Sequence, residues 1–300
     1  MKEREISYKI FRCVNVLIMI LIALVMLLPY LHVLAKSLNE STDTMLGGLT
    51  FYPRKLDFTN YIVLFKDSSM ISAAGLSVSR VIIGLILSLF VQFSGAFALS
   101  RDLPGKKKIT LFLIVPMFFT AGIIPIYINY VNLGLINSYL VYVLPMVHSY
   151  YNVLVIRSYI ESSVPNSLCE AAYLDGAGEF RTMMQVVAPL CKPVLATVSL
   201  WVAVNLWNDW TTTLYYVTNE KLFTLQYKLM QLIKESERLQ SLLRESAITG
   251  RGAEVAATVQ ATPESLVSAQ VVVTTIPIIL VYPFVQKYFV QGITLGAVKQ

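Results

Sequence analysis

Six long apolar runs, at 11–35, 71–99, 109–130, 139–157, 194–217 and 264–286, restrict what this chain can fold into more than any other feature. Each approaches or exceeds the roughly 20 apolar residues that carry a helix across a bilayer. Hydrocarbon offers no partner to a loose N–H or C=O, so runs of this length have to be helices. The expectation is an all-α membrane protein with six transmembrane helices. Composition agrees: only 14% of residues are charged and the mean hydropathy is +0.63, whereas soluble domains carry about 25% charged residues. Pro29, Pro116, Pro125, Pro145, Pro277 and Pro283 fall inside these runs, and predict kinks packed against neighbouring helices.

Lysine and arginine near the ends of the runs set the orientation. Lys2, Arg4, Lys9 and Arg12 precede the first run. Arg101, Lys106, Lys107 and Lys108 fill the connection between the second and third. Arg157, Arg181 and Lys192 surround the fourth connection, and Lys287 and Lys299 follow the last run. The short 131–138 loop has none, although the longer outer segments 36–70 and 218–262 hold ten. This pattern places both termini in the cytoplasm. The net charge of +6 then reads as membrane topology, with no nucleic-acid surface. The basic opening followed by Val33, Leu34 and Ala35 has the outline of a cleaved leader, but the run is too long, and Pro29, Tyr30 and His32 break its end. Cys13, Cys169 and Cys191 lack metal spacing and are too few for a disulfide framework, so free thiols are expected.

One internal loop departs from this apolar character. Residues 159–193 contain EAAYLDGAGEFRTMMQVVAPLCKP, with Glu170, Asp175, Glu179, Arg181 and Lys192 close together. Ser163 or Asn166 is positioned to cap a short helix over 167–174, with Pro165 supporting the turn. Gly176 and Gly178 would end that helix and allow a sharp turn. A second helix over 179–187 would run on to Pro189 and Pro193. Leu168, Ala171 and Ala172 would make a face small enough for close approach of a partner, with Glu170 and Asp175 at its rim.

The order Glu170-Ala171-Ala172, Asp175-Gly176-Ala177, Pro189-Leu190 and Pro193 resembles the EAA loop of permease subunits in binding-protein-dependent ABC importers. GAFALSRDLPGKKK (95–108), FFTAGIIPIYINYVNLGLINS (118–138), LPMVHSYYNVLVIRSYIESSVP (144–165), NLWNDWTTTLYYV (205–217) and YPFVQKYFVQGITLGAVKQ (282–300) are similar to the maltose-permease-like carbohydrate branch, especially its complex oligosaccharide and polysaccharide subgroup. Ala188 and Met183 depart from the residue types usual there. The resemblance implies the type I ABC importer transmembrane fold. Its parts would be a tail, first helix and outer segment (1–70), a transmembrane core (71–286) with coupling loop 159–193 and outer loop 218–262, and a cytoplasmic tail (287–300). It also implies a multi-pass protein of a prokaryotic cell membrane, with no catalysis of its own. Glu170, Ala171, Ala172, Asp175, Gly176, Ala177 and Pro189 would dock on an ATPase, and residues 296–300 would reach toward the same subunits. Expected partners are a second homologous permease, two ATPase subunits, an extracytoplasmic solute-binding protein, membrane lipid and a carbohydrate. No cofactor is expected on this chain; ATP and magnesium belong to the ATPase.

Other residues admit more than one reading. Tyr151, Asn152, Asn205 and Asn208 combine aromatic faces with amides and would suit a sugar path, while most tyrosines suit an interfacial belt. Trp207, Asn208 and Trp210 would anchor the outer end of the fifth span. His32 and His148 lack acidic partners and read as satisfied polar groups or cavity lining. Residues 225–248 have helical apolar spacing. They form either a solvated hairpin or a binding-protein contact, with Gly250, Arg251 and Gly252 at the tip and Thr262 capping the last span. An ion-coupled transporter would need an acidic or histidine relay at depth, and a membrane enzyme a catalytic pair or metal set. Neither pattern is present, nor is a GxxxxGK[ST] loop for ATP. A permease for a non-sugar solute and a non-transporting scaffold stay open.

Overall fold

The computed structural model describes residues 2–45, 47–119, 121–248 and 263–297. Among them the regular structure is helical, apart from one isolated antiparallel bridge between Asn39 and Leu56. Three helices are long and apolar enough to cross a membrane: Tyr8–Ser37, Ser68–Ser100 and Glu264–Pro283. Three bent pairs qualify jointly: Lys106–Phe118 with Ile123–Asn132, Tyr139–Met146 with Tyr150–Ser163, and Glu179–Leu190 with Lys192–Asn208. By length and composition the chain therefore holds up to six spans.

The breaks have local causes. Gly122 has φ of +84° just ahead of Ile123–Asn132, a backbone state that suits glycine alone. Pro145 sits in a 3₁₀ turn, Leu144–Met146, ahead of Tyr150–Ser163. Pro29, Pro277 and Pro283, by contrast, lie inside unbroken helices. The run expected over 194–217 is not one helix. Lys192–Asn208 ends at Asp209, whose backbone is extended, and Thr211–Tyr216 starts afresh. The Asp209 carboxylate is the reason: its Oδ1 accepts from Thr211 Oγ1 at 2.8 Å and from the Thr212 amide at 3.1 Å.

The chain divides into two compact units, Met1–Met70 with Leu229–Ile276 and Ile71–Lys228 with Pro277–Gln300. In the first unit, buried Asn39 organises the segment after the first span. Its amide donates to Asp43 Oδ2 (2.8 Å) and Thr44 Oγ1 (3.0 Å), and its carbonyl accepts the Lys55 amide (2.9 Å). Arg54 Nε donates to the same Asp43 oxygen at 2.9 Å. Lys36 pairs with Glu264, and Ser41 Oγ lies 2.8 Å from Ser265 Oγ, which ties this segment to the start of the last helix. His32 is satisfied locally, with Nδ1 2.8 Å from the Thr50 carbonyl. The expected tip at Gly250, Arg251 and Gly252 and the Thr262 cap lie outside the described residues.

The second unit is built around Ser68–Ser100. Phe93, Ala96 and Phe97 pack with Val153, Ile156 and Ile160 of Tyr150–Ser163, and with Val194, Val198, Val202 and Leu206 of Lys192–Asn208. One further face of the same helix is polar and buried: Ser77, Arg80, Ser88 and Gln92, with Gly84 between them. These residues recur every three or four positions, so they form a single stripe. Each polar member answers a backbone group that a helix end leaves unpaired. Ser77 Oγ accepts the Leu225 amide at the start of Leu225–Ile248 (2.9 Å). Ser88 Oγ donates to the Met146 carbonyl (3.1 Å), and Gln92 Nε2 to the Val147 carbonyl (3.1 Å). A Cβ on Gly84 would come within 2.8 Å of Leu206 Cδ1, so the small residue sets the close approach of two helices.

Candidate functional site

The loop that interrupts the apolar pattern forms a compact helical elbow. Val164 and Pro165 are extended, and the short helix runs from Asn166 to Leu174. Neither Ser163 nor Asn166 caps it: Pro165 occupies the cap position, and no side chain bonds there. The far end follows a specific closing pattern. The Gly176 amide donates to the Tyr173 carbonyl (3.0 Å) and the Ala177 amide to the Ala172 carbonyl (2.9 Å). That pair of bonds is the Schellman closure, which places its left-handed residue just past the helix. Gly176 has φ of +79°, whereas Gly178 has φ of −74° and an ordinary extended backbone. Only the first glycine is dictated by conformation.

Tyr173 then donates its hydroxyl to Glu179 Oε2 at 2.8 Å, locking one helix to the next. Burial, and then the bond to the Glu179 carboxylate, raise the Tyr173 phenol above its ordinary range, so it stays a donor. The second helix extends further than the sequence suggests, over Glu179–Leu190, with a π-helical stretch at Thr182–Val187. After Cys191 the chain bends by 88° into Lys192–Asn208.

Burial divides the elbow into an inner and an outer surface. Cys169, Met183, Val187 and Cys191 join the core cluster, and the cysteines are free thiols. Glu170, Ala171, Asp175, Gly176 and Pro189 are exposed, while Ala172 and Ala177 are half-buried. Leu168 is also exposed. Two exposed residues had no sequence signal beyond their neighbourhood: Leu174, 89% exposed, and Phe180, 63% exposed. Both lie close in sequence to the exposed charged residues Asp175, Glu179 and Arg181.

The four residues expected along a sugar path separate into two groups. Tyr151 is exposed and stacks obliquely on Trp201, with ring centroids 6.1 Å apart. Asn205 and Asn208 are exposed on Lys192–Asn208, four and seven positions after Trp201 and hence on its face. Asn208 Oδ1 also accepts from Gln226 Nε2 at 3.4 Å. Asn152 does not share that surface. It is buried, and its amide donates to Gln92 Oε1 at 3.0 Å, within the polar stripe. His148 is exposed and borders an apolar groove with Tyr150 and Val153.

The residue that sequence reasoning left out is Arg80. It lies inside the Ser68–Ser100 helix and is 1% exposed. Its Nε donates to the Leu206 carbonyl (2.9 Å), and its Nη2 to the same oxygen and to the Asp209 carbonyl (3.0 Å) and carboxylate (3.2 Å). The guanidinium also stands 5.0 Å over the Tyr142 ring, and the Tyr142 hydroxyl reaches Thr213 Oγ1 at 2.9 Å. Arg80 thus binds the end of Lys192–Asn208 to the turn carrying Tyr142. An arginine at this depth is itself the signal, since ionisable groups within spans are rare and functional or paired.

Comparison with known proteins identifies relatives. The family described as "Binding-protein-dependent transport system inner membrane component" matches residues 107–295. The polygalacturonan/rhamnogalacturonan transport system permease protein YtcP of Bacillus subtilis (strain 168) is 31% identical over 94% of this chain and 95% of its own length. Protein LplC of the same organism is 28% identical over 97% and 95%. Among solved structures, a chain of a bacterial ABC transporter involved in import of the acidic polysaccharide alginate is similar, with a TM-score of 0.81 and 28% identity. That alignment covers 94% of this chain and 98% of the other.

Proposed function

Because the chain belongs to the binding-protein-dependent transport system inner membrane component family, we propose that it is the permease subunit of an ATP-driven carbohydrate importer, with oligo- or polysaccharide as cargo. The relatives' substrates support the carbohydrate reading. In this reading the bent pairs at 106–132 and 139–163 count as one span each and Lys192–Asn208 carries a further one while Glu179–Leu190 stays in the elbow, giving six with the three long helices and both termini in the cytoplasm. The partners are a second permease of the same fold, two ATPase subunits that hold ATP and magnesium, and a solute-binding protein on the outer side.

The carrying observation is the elbow at 166–190, which buries Cys169 and Met183 while leaving Leu174 and Phe180 uncovered. Covering each of these apolar side chains contributes roughly 2 kcal/mol to a complex. In the proposed cycle the ATPases close on ATP and carry the elbow with them. The 88° bend at Cys191 passes that movement into Lys192–Asn208, and the polar stripe of Ser68–Ser100 transmits it to the broken spans. The face carrying Trp201, Asn205 and Asn208, with Tyr151 against it, is the proposed sugar contact. Rings stack on its aromatics and hydroxyls bond to its amides. Arg80 and Asp209 neutralise one another, as a structural pair would and a proton relay would not.

Affinity purification of the tagged chain tests the assembly. The expected result is recovery of a second six-span permease and an ATP-hydrolysing subunit. Recovery of the chain with no ATPase, under conditions that keep membrane complexes intact, would overturn the reading.

A further inference from the structure

We propose that a cavity at the base of the elbow binds a phosphate group, with Arg101 as its principal ligand. The inference rests on the reading of 101–108 as an inner connection and of 166–174 as the coupling helix. Ser100, Arg101, Ile160, Glu161, Asn166 and Cys169 line the cavity, which encloses about 200 Å³. A water needs only about 10–15 Å³ measured this way, so the space suits a larger group.

Arg101 is held in place by its contact with Phe97, whose ring centroid lies 4.6 Å from the guanidinium carbon. Its Nε and Nη2 are buried and have no hydrogen-bond partner. These two nitrogens form one edge of the guanidinium fork, the edge that meets two oxygens of an oxyanion at once. Buried donors are normally paired, and an oxyanion would supply the acceptor that this edge lacks.

Charge balance points the same way. The one carboxylate in the lining, Glu161, is already held by Arg157 Nε at 2.9 Å and Lys106 Nζ at 3.3 Å. Glu161 is thus already offset by two cations other than Arg101. Lys106, Lys107 and Lys108 also occupy the first turn of Lys106–Phe118, the helix end where the dipole favours negative charge and disfavours positive.

Position selects phosphate from among oxyanions. The cavity lies at the expected headgroup level, where basic pockets between spans hold phosphorylated head groups. A separate apolar groove of about 290 Å³ borders the same hairpin, lined by Gly95, Ala98, Leu99, Leu103, Ile109 and Leu113. It is suited to an acyl chain. A phospholipid phosphodiester and free inorganic phosphate present the same oxygens to Arg101, so the experiment separates them.

The tagged assembly is purified into nanodiscs of phosphatidylcholine with or without phosphatidylglycerol, and bound lipid is read by native mass spectrometry. Binding of inorganic phosphate is measured in parallel by equilibrium dialysis. At least one probe binds the wild type, and Arg101→Gln weakens that binding by roughly tenfold or more. Arg101→Lys, which keeps the charge and loses the two-pronged edge, falls between. Retained phosphatidylglycerol identifies a lipid site, and phosphate binding alone identifies a soluble ligand. Binding of neither probe, or equal binding by Arg101→Gln, overturns the proposal. Co-purified ATPase is scored in the same samples: its presence without phosphate binding removes this site and leaves the proposed function standing, whereas its absence from the wild type counts against that function.

Discussion

Arg80 brings a full charge into an apolar helix, and its surroundings explain why the chain tolerates it. Two carbonyls, one carboxylate and an aromatic face surround the guanidinium. Removing one partner of a buried pair leaves the other charge stranded, at about 3–5 kcal/mol, while replacing both by apolar groups is often neutral. Arg80→Met should therefore lower the thermal unfolding midpoint sharply in detergent, and Arg80→Met with Asp209→Asn, which removes the charge but keeps the oxygen that accepts from Thr211 and Thr212, should recover much of the loss. Additive losses in the double variant would show that the pair is not the unit. Asp43 offers a different residue-scale test. Bonds from Asn39 and then Arg54 hold its carboxyl below the ordinary 3.8. A depressed folded value means its contribution is complete above the unfolded value and is lost only as pH falls through the lower, folded one. Hydrogen exchange of the 38–57 segment should thus stay protected as pH drops to about 4, where an ordinary aspartate is already titrating. Loss of protection well above that pH would contradict the arrangement.

Among the elements, the elbow and the breaks matter most. Gly176 sits in the left-handed region and Gly178 does not, so the two glycines should respond differently to the same change. Gly176→Ala should destabilise the turn by about 1–2 kcal/mol, whereas Gly178→Ala meets no neighbour within 4 Å and should leave ATPase affinity unchanged. Equal losses would mean that the closure at Ala172 and Tyr173 is not what shapes the surface. Leu174→Asp replaces a side chain that is 89% exposed in the lone chain. It should therefore spare membrane insertion yet weaken ATPase binding about 30-fold or more, the equivalent of one lost apolar contact. Binding at wild-type strength would show that Leu174 faces no partner.

For the whole molecule, the apolar runs made the placement of long helical segments legible, because bilayer thickness fixes their length. Their interruptions were less so. Pro116, Pro125 and Pro145 lie near real breaks, while Pro29, Pro277 and Pro283 sit in continuous helices. A proline disturbs its own helix, but packing decides whether the helix parts. The end of Lys192–Asn208 depends on Asp209 meeting Thr211, Thr212 and Arg80, and the last of these is a contact across 129 positions that no local pattern encodes. The helical elbow was readable because Glu170, Asp175 and Gly176 stand out among apolar residues. Leu174 and Phe180 were not, since an exposed leucine and a buried one look alike in a sequence. Asn152 and Asn205 likewise carry the same amide, and only the fold assigns one to Gln92 and the other to an open face. If this elbow couples the spans to an ATPase, ATP hydrolysis by the reconstituted assembly carrying Gly176→Asp is the decisive measurement. The variant chain should still insert in the membrane but show no hydrolysis stimulated by the loaded binding protein; stimulation at the wild-type level would mean that the elbow does not carry the coupling.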